Sequence, residues 1–366
     1  MHLFFQKEKL YFNLSMSKDF ENTTADTGAL SGEQQGLKIL IIRFSSIGDI
    51  VLTTPVIRCL KKQLPNAQIH FAVKKSFLTV VASNPYIDKI HVLDNDLHSL
   101  IKELKSEQFD YLIDLHKNIR TLRIKNALNK ATDFTFNKLN IEKWVMTALK
   151  INILPAKHIV DREFVAVKHF HVHNDGKGLD YFIPEKDVVP ETDIPTSHMH
   201  GYIGIVIGAA HGTKKLPVEK LIELCTKIQH PVILLGGKED AAVANEIAAI
   251  DPIKIYNACG KFNLNESADL VRKAKIIITH DTGLMHIAAA FKKPIISVWG
   301  NTIPEFGMYP YYGESAVRNE KFEIKNLSCR PCSKIGHDKC PKKHFKCMMQ
   351  QDIDGMVAKV EEWLKK

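Results

Sequence analysis

Two aspartates stand where a buried strand should give way, through a glycine-containing turn, to a helix. Asp49 lies in Ser45-Ser46-Ile47-Gly48-Asp49. Asp281, more than 200 residues later, lies in Thr279-His280-Asp281-Thr282-Gly283-Leu284-Met285-His286. In open α/β sheets such turns sit at the carboxyl ends of the strands, where ligands bind. The small residues Ser45, Ser46 and Gly48 let the chain turn tightly and let a ligand approach the backbone. Asp49 has two readings that the pattern leaves open: a helix N-cap or a general base for a reacting hydroxyl. At the second turn the amides of Thr282, Gly283 and Leu284 would project from a helix start, where aligned N–H donors and the helix dipole attract phosphate. Asp281 again reads as a cap or a ligand-binding carboxylate. His286, one turn further on, reads as a contact to the same anion or as a packed core histidine.

Two further turns follow strands of the same half. Gly208 to Pro217 places small residues ahead of Thr213, Lys214 and Lys215, a composition that suits a phosphate loop. Gly236-Gly237-Lys238-Glu239-Asp240 offers carboxylates, Glu239 foremost, that either bind ribose hydroxyls or cap the next helix. The glycine fingerprints of dinucleotide sites and P-loops are absent, which argues against a nicotinamide dehydrogenase or a P-loop NTPase.

The elements that must position these turns alternate in type. Short, β-branched apolar runs at 39–44, 68–73, 89–93 and 109–115 alternate with amphipathic segments at 50–63, 75–83, 98–107 and 119–129. The regularity weakens from 131 to 200, with helical patterns at 140–150 and 158–170 and a proline-rich acidic stretch from Pro184 to Pro195. A second series then places strands at 202–207, 231–236, 253–256, 275–279 and 294–299. Helices are expected at 217–229, 239–249, 264–273 and 283–292, and a final one at 352–365. The expected fold class is α/β, with parallel sheets covered on both faces. The domains read as a flexible leader at 1–36, a first sheet domain at 37–183, a linker at 184–200 and a second sheet domain at 201–366.

The chain has 366 residues, 45% of them hydrophobic and 25% charged, with a formal net charge of +9. That balance is ordinary for a globular protein and favours an anionic partner. No apolar run approaches the ~20 residues of a membrane helix, and the N-terminus lacks a signal-peptide core, so a cytoplasmic protein is expected. Cys329-x2-Cys332-x7-Cys340-x6-Cys347 supplies four thiols in one loop, 329–347, with His337 and His344 nearby. In a cytoplasmic protein this spacing favours a structural zinc over disulfides, the alternative being a loop of reduced thiols. Basic charge plus a cysteine cluster would also suit a nucleic-acid binder. The cluster lacks the interleaved aromatic and basic residues that stack and hold bases, so no nucleic-acid partner is expected.

Taken in order, Ser45-Ser46-x-Gly-Asp49, Lys214-Lys-Leu-Pro217 and Asp281-Thr-Gly-Leu-Met-His286 resemble family-nine glycosyltransferases, the bacterial heptosyltransferases of lipopolysaccharide core assembly. Leu216 stands where that family usually has Trp. The resemblance implies two facing Rossmann-like domains of GT-B type around a central cleft, the first taking the acceptor and the second a nucleotide sugar. It implies Asp49 as catalytic base, and Lys214 with the 281–286 helix start on the diphosphate of ADP-heptose. Transfer would invert the anomeric centre and need no metal. Asp114 to Arg120 also resembles a family segment, so Ser46, Gly48, Lys117, Arg120 and Arg123 are candidate contacts for a lipid-linked anionic saccharide acceptor at the inner membrane face. A solvated basic face is the alternative for those three cations. Transfer of another sugar, or epimerisation of a nucleotide sugar on the same architecture, remains the alternative activity.

Overall fold

The computed structural model describes residues 36–129 and 131–365; apart from Gly36, the expected leader lies outside them. Eleven described strands form two sheets. The first contains β1 (Lys38–Ile42), β2 (Gln68–Lys74), β3 (Lys89–Leu93), β4 (Tyr111–Asp114) and β5 (Thr132–Thr135), in the order β3-β2-β1-β4-β5. The second contains β6 (Ile203–Val206), β7 (Val232–Leu235), β8 (Ile255–Asn257), β9 (Ile276–His280), β10 (Ile295–Trp299) and β11 (Asn319–Glu323), in the order β11-β10-β9-β6-β7-β8. Every pairing is parallel. The first half carries helices α1 (Ile47–Leu52), α2 (Thr54–Gln63), α3 (Leu97–Ser106), α4 (Ile119–Ala127), α5 (Asn140–Leu149) and α6 (Ile159–Glu163). The second carries α7 (Val218–Lys227), α8 (Ala241–Ala248), α9 (Leu264–Lys273), α10 (Gly283–Ala290), α11 (Lys346–Met349) and α12 (Ile353–Leu364).

The central strands are apolar because both of their faces are covered: Ile39 to Ile42, Ile203 and Ile205, and Ile276 to Ile278 are all buried. In each sheet the strand order reverses once at the centre, between β1 and β4 and between β6 and β9. Crevices open beyond the carboxyl ends of strands at such switch points. The turns singled out in the sequence follow those four strands: 45–49 after β1, 115–117 after β4, 208–215 after β6 and 281–286 after β9.

Several expected elements take a different form. The helix expected at 50–63 is two helices. Thr53 and Thr54 donate their hydroxyls to the Ile50 and Val51 carbonyls, both at 2.7 Å, and Pro55 opens the next helix, where its missing N–H costs nothing. Residues 75–83 form a 3-10 turn over Lys75–Val80, and 158–170 divides into α6 and a 3-10 segment, Phe164–Phe170. The edge strands β5 and β11 were not expected. Their sequences, TDFT and NEKFE, are polar and largely unburied, so hydrophobic periodicity could not reveal them, and charge on an edge also discourages pairing with other chains. Pro184, Pro190 and Pro195 each precede a one-turn 3-10 helix. That stretch is tied to α9, where Val189 N donates to Asp269 Oδ2 (3.0 Å) and Asn265 Nδ2 to Asp187 Oδ2 (2.8 Å).

Two polar groups are locked into the first half. His70 Nδ1 and His91 Nε2 lie 2.9 Å apart, and His91 Nδ1 meets Glu103 Oε1 at 2.5 Å. If His91 donates to Glu103, its other nitrogen accepts from His70. Burial pushes His70 down to about 4. Glu107 approaches the pair closely enough for His70, His91 and Glu107 to suit a metal ion, but its carboxylate already carries Lys38 and Lys89. The second group is Arg58, buried on α2. It donates through Nε (2.9 Å) and Nη2 (2.7 Å) to Asp175, through Nη1 to Asp180, and to the Gly178 carbonyl (2.9 Å). This fork fastens α2 to the segment leading toward the second sheet. Arg58→Ala strands two carboxylates and is expected to cost about 3–5 kcal/mol, measurable as a fall in the urea midpoint.

Candidate active site at the facing helix starts

The first and second halves meet where α1 and α10 begin. A Cβ on Gly48 would lie 2.6 Å from His286 Cδ2, and one on Gly283 would lie 2.7 Å from Ile47 Cγ2. Neither position has room for a side chain, so the glycines allow the two turns to touch and bring Asp49 and Asp281 to one region of the molecule.

Asp49 is the third residue of α1. Its Oδ2 accepts from the Ser46 amide (3.1 Å) and hydroxyl (2.6 Å), and its Oδ1 pairs with Arg43 Nη2. Arg43 is itself oriented by the carbonyls of Ser45 (3.0 Å) and Leu115. Burial pushes the Asp49 carboxyl up, but Arg43, the two Ser46 hydrogen bonds and His286 outweigh it and hold it below the usual range. Ser46, not Asp49, is the N-cap of α1; Asp49, at the third helical position, returns its carboxylate to the Ser46 amide and keeps partial access to solvent.

Across the contact, Lys214 Nζ meets Asp281 Oδ2 at 2.6 Å and the Asp281 carbonyl at 3.3 Å, while Thr302 Oγ1 donates to the same carboxylate at 3.1 Å. The loop carrying Lys214 is held over β9 by the Leu216 amide, which donates to His280 Nε2 (2.9 Å). No side chain caps α10 at Thr282, so its first amides, including those of Gly283 and Leu284, are available to an anion in the way such helix starts favour. His286 is buried with Nδ1 unpartnered. Burial pushes it down to about 4 against the pull of Asp281 and Asp49, so the ring is neutral at neutral pH.

Thr213 is committed elsewhere: its hydroxyl accepts from the His337 amide (2.8 Å) and donates to the His337 carbonyl (2.9 Å). Of the carboxylates after β7, only Asp240 is turned back on its own turn. Asp240 accepts from the Gly237 amide (3.0 Å) and pairs with Lys215 (2.6 Å), whereas Glu239 is exposed. Ser46 and Gly48 adjoin Asp49. Lys117, Arg120 and Arg123 are exposed in and just before the first turns of α4, with the Lys117 amide donating to buried Asp114 (2.6 Å).

A second set of charged groups near Asp49 escaped sequence reasoning. Glu163 on α6 is fully buried with both carboxylate oxygens unpartnered, and Arg162 Nε and Nη1 and His116 Nδ1 are also without partners. Burial pushes Glu163 up to about 8; Arg43 and Arg162 oppose the shift and the Asp49 charge reinforces it. Burial lowers Lys138, and Lys143 to about 8, with Asp49 opposing in both. Buried polar atoms are normally satisfied, and an unsatisfied set around one carboxylate is what a polar ligand would complete. The available signal was the density of ionisable residues in Asp161-Arg162-Glu163, in a stretch read only as helix.

The four loop cysteines are reduced. Cys332 Sγ donates to the Cys329 carbonyl (3.0 Å), and Cys329 Sγ lies 3.8 Å from His344 Nε2. Burial and the neighbouring thiols push Cys332 up to about 11 and Cys347 to about 12. No three of the sulfurs fall within 4.8 Å of one another, wider than the ~3.8 Å that Zn–S bonds of about 2.3 Å impose in a tetrahedral site. The loop is anchored beside Lys214 through Thr213–His337 and through Arg330, which donates to the carbonyls of Gly300 (2.6 Å) and Thr302 (3.0 Å).

Residues 97–339 match the family model described as glycosyltransferase family 9 (heptosyltransferase). The chain is 26% identical over 306 residues to lipooligosaccharide heptosyltransferase 2 of Haemophilus influenzae, covering 74% of this chain and 85% of that one. It is 25% identical over 291 residues to lipopolysaccharide heptosyltransferase 1 of Campylobacter coli, covering 73% and 84%. Among solved structures, it is similar to a family 9 glycosyltransferase of Veillonella parvula, with a TM-score of 0.72, 21% identity and coverage of 92% and 99%. It is also similar to Escherichia coli heptosyltransferase WaaC with ADP, with a TM-score of 0.64, 18% identity and coverage of 89% and 100%. The shared fold is the pair of Rossmann-like domains of GT-B type.

Glu163 makes folding stability sensitive to pH. It stays protonated in the folded state up to about pH 8 but ionises in the unfolded state above its ordinary 4.5. The stability it contributes is complete below pH 4.5 and drains away as pH rises to about 8. Glu163→Gln is expected to flatten that decline in urea midpoints taken across the window; an unchanged slope would rule out a neutral Glu163.

Proposed function

This chain belongs to glycosyltransferase family 9, and from that premise we propose that it moves a heptose from ADP-heptose to a lipid-linked, anionic saccharide of the lipopolysaccharide inner core. The observation that carries the reading is the contact of α1 with α10, which sets an ionised carboxylate beside an uncapped helix start and a lysine. The names of the relatives support the sugar, and the ADP bound to WaaC supports the nucleotide.

In this reading the acceptor hydroxyl lies against Asp49 and attacks the anomeric carbon from the side opposite the diphosphate. The C–O bond to the acceptor forms as the bond to the diphosphate breaks, so the anomeric centre inverts. Arg43 and Ser46 keep Asp49 ionised but make it a weak base, so the proton moves late, once the attacking oxygen has become acidic through bond formation. Lys214 transfers its attention from Asp281 to the leaving diphosphate, and the amides of residues 282–284 face the same charge. Glu239 is left exposed for a ribose hydroxyl. Lys138 and Lys143 meet anionic groups of the acceptor, with buried Arg162 and protonated Glu163 behind them and Lys117, Arg120 and Arg123 further out.

The test is transfer from ADP-heptose to a deheptosylated lipopolysaccharide acceptor, followed as ADP release and acceptor mass. Asp49→Asn should lower turnover on the order of 10²–10⁴-fold with ADP binding retained. Lys214→Ala should lower it on the order of 10²–10³-fold and weaken ADP binding as well. Full turnover by Asp49→Asn would remove the base assignment, and binding of ADP without transfer by the parent would redirect the search to another sugar.

Cys329, Cys332, Cys340 and Cys347 are proposed, from their number and spacing, to hold a structural zinc. Elemental analysis should find about one zinc per chain, by the four-thiolate stoichiometry of such sites, lost in Cys329→Ser/Cys332→Ser. A zinc-free protein with all four thiols open to titration would leave a loop of reduced cysteines.

A further inference from the structure

Helix α5 is built inside out. None of its residues is buried. Ile141 (73% exposed), Trp144 (61%) and Leu149 (56%) point to solvent, whereas the charged Lys143 is turned inward, its ammonium 6.0 Å from the Phe306 ring centre. At 100° per residue, Ile141, Trp144, Ala148 and Leu149 fall on one face and Lys143 on the opposite one. A helix packed on a globular core has the reverse arrangement. The outward face continues into exposed Ile151 and Ile153. On α4, exposed Ile119 and Leu122 alternate with Arg120 and Arg123. Eight of the fifteen large apolar side chains exposed among the described residues fall between 119 and 165, so the apolar surface is concentrated in one stretch of chain.

The charge of that stretch selects its partner. Residues 117–157 hold nine Lys or Arg and two acidic residues, in a chain whose whole net charge is +9. Exposed Trp and Ile framed by cations are the composition that seats a helix in the headgroup layer of an anionic bilayer. A protein partner would more often need charges of both signs around the apolar centre. The inward side of the same stretch borders the candidate site, since Lys138 and Lys143 both feel the charge of Asp49.

We infer that the outward face of α5, with the exposed residues of α4, docks on the surface of a bilayer containing anionic lipids. Docking would hold the Asp49 region, which borders the inward side of α5, close to the membrane that carries a lipid-linked saccharide. That consequence rests on the acceptor class proposed above; the docking itself does not.

The full-length protein would be mixed with vesicles of phosphatidylcholine alone or with about a third phosphatidylglycerol, the anionic headgroup supplying the attraction. Of the three tryptophans, Trp299 and Trp363 are 1% and 9% exposed, so an emission shift on binding reports Trp144. Co-sedimentation with anionic vesicles, a blue shift, quenching by shallowly brominated lipid and weakening by salt are expected. Ile141→Asp/Leu149→Asp should reduce binding at least ~10-fold, since charges are costly at that depth, with unchanged circular dichroism and unchanged transfer to a soluble, delipidated acceptor. Equal binding to neutral vesicles, undiminished binding by the double variant, or a stable dimer that shields Trp144 in place of lipid binding would each overturn the inference. Failure of transfer with vesicle binding intact would instead strike the acceptor reading alone.

Discussion

The candidate site depends on a steric constraint: two helix starts, one from each sheet, must pass within van der Waals contact. Gly48 leaves room for the His286 ring, and Gly283 leaves room for Ile47. Each helix follows a central strand at the point where its sheet changes winding direction. Contact between them therefore brings the carboxyl-terminal edges of the two sheets together. Neither sheet alone carries the arrangement, because Asp49 belongs to one and Lys214, Asp281 and His286 to the other. A side chain at either glycine would act as a wedge in a close-packed region, where even small added volume displaces neighbours.

Electrostatics then separates groups of the same chemical type. Asp49 and Glu163 are both carboxyls near the same guanidinium, Arg43. Asp49 gains a direct ion pair and two hydrogen bonds from Ser46 and is held ionised. Glu163 gains no hydrogen-bonding partner, is fully buried and is held neutral. Two carboxyls with opposite protonation at one site can accept a proton and donate a hydrogen bond at the same pH. The histidines follow a similar logic: His286 and His280 are kept neutral by burial, which avoids adding positive charge beside Lys214.

The segments outside the two regular strand–helix series are not passive connections. The loop at 329–347 is pinned next to Lys214 through Thr213 and Arg330. The stretch between β5 and β6 supplies Lys143, Arg162 and Glu163 to the first half of the site and the inside-out helix α5 to its surface. The departures from the Rossmann pattern are thus where this chain adds its own ionisable groups.

Much of this was legible from residue order. Buried parallel strands must be continuously apolar, so β1, β6, β9 and β10 stand out, and tight turns after them need Gly48 and Gly283. The sequence by itself determined the two parallel sheets, the positions of Asp49, Lys214 and Asp281 at strand ends, and the helix starts that follow. Polar edge strands β5 and β11 left no apolar signature, and the division of 50–63 depended on hydroxyls of Thr53 and Thr54 returning to backbone carbonyls. Only the tertiary structure decided that Gly48 faces His286, that Lys214 rests on Asp281, that Thr213 is spent on His337, and that Glu163 is neutral beside an ionised Asp49. Those outcomes depend on distances between residues far apart in the chain and on how completely water is excluded around each charge, and neither quantity is encoded in local spacing.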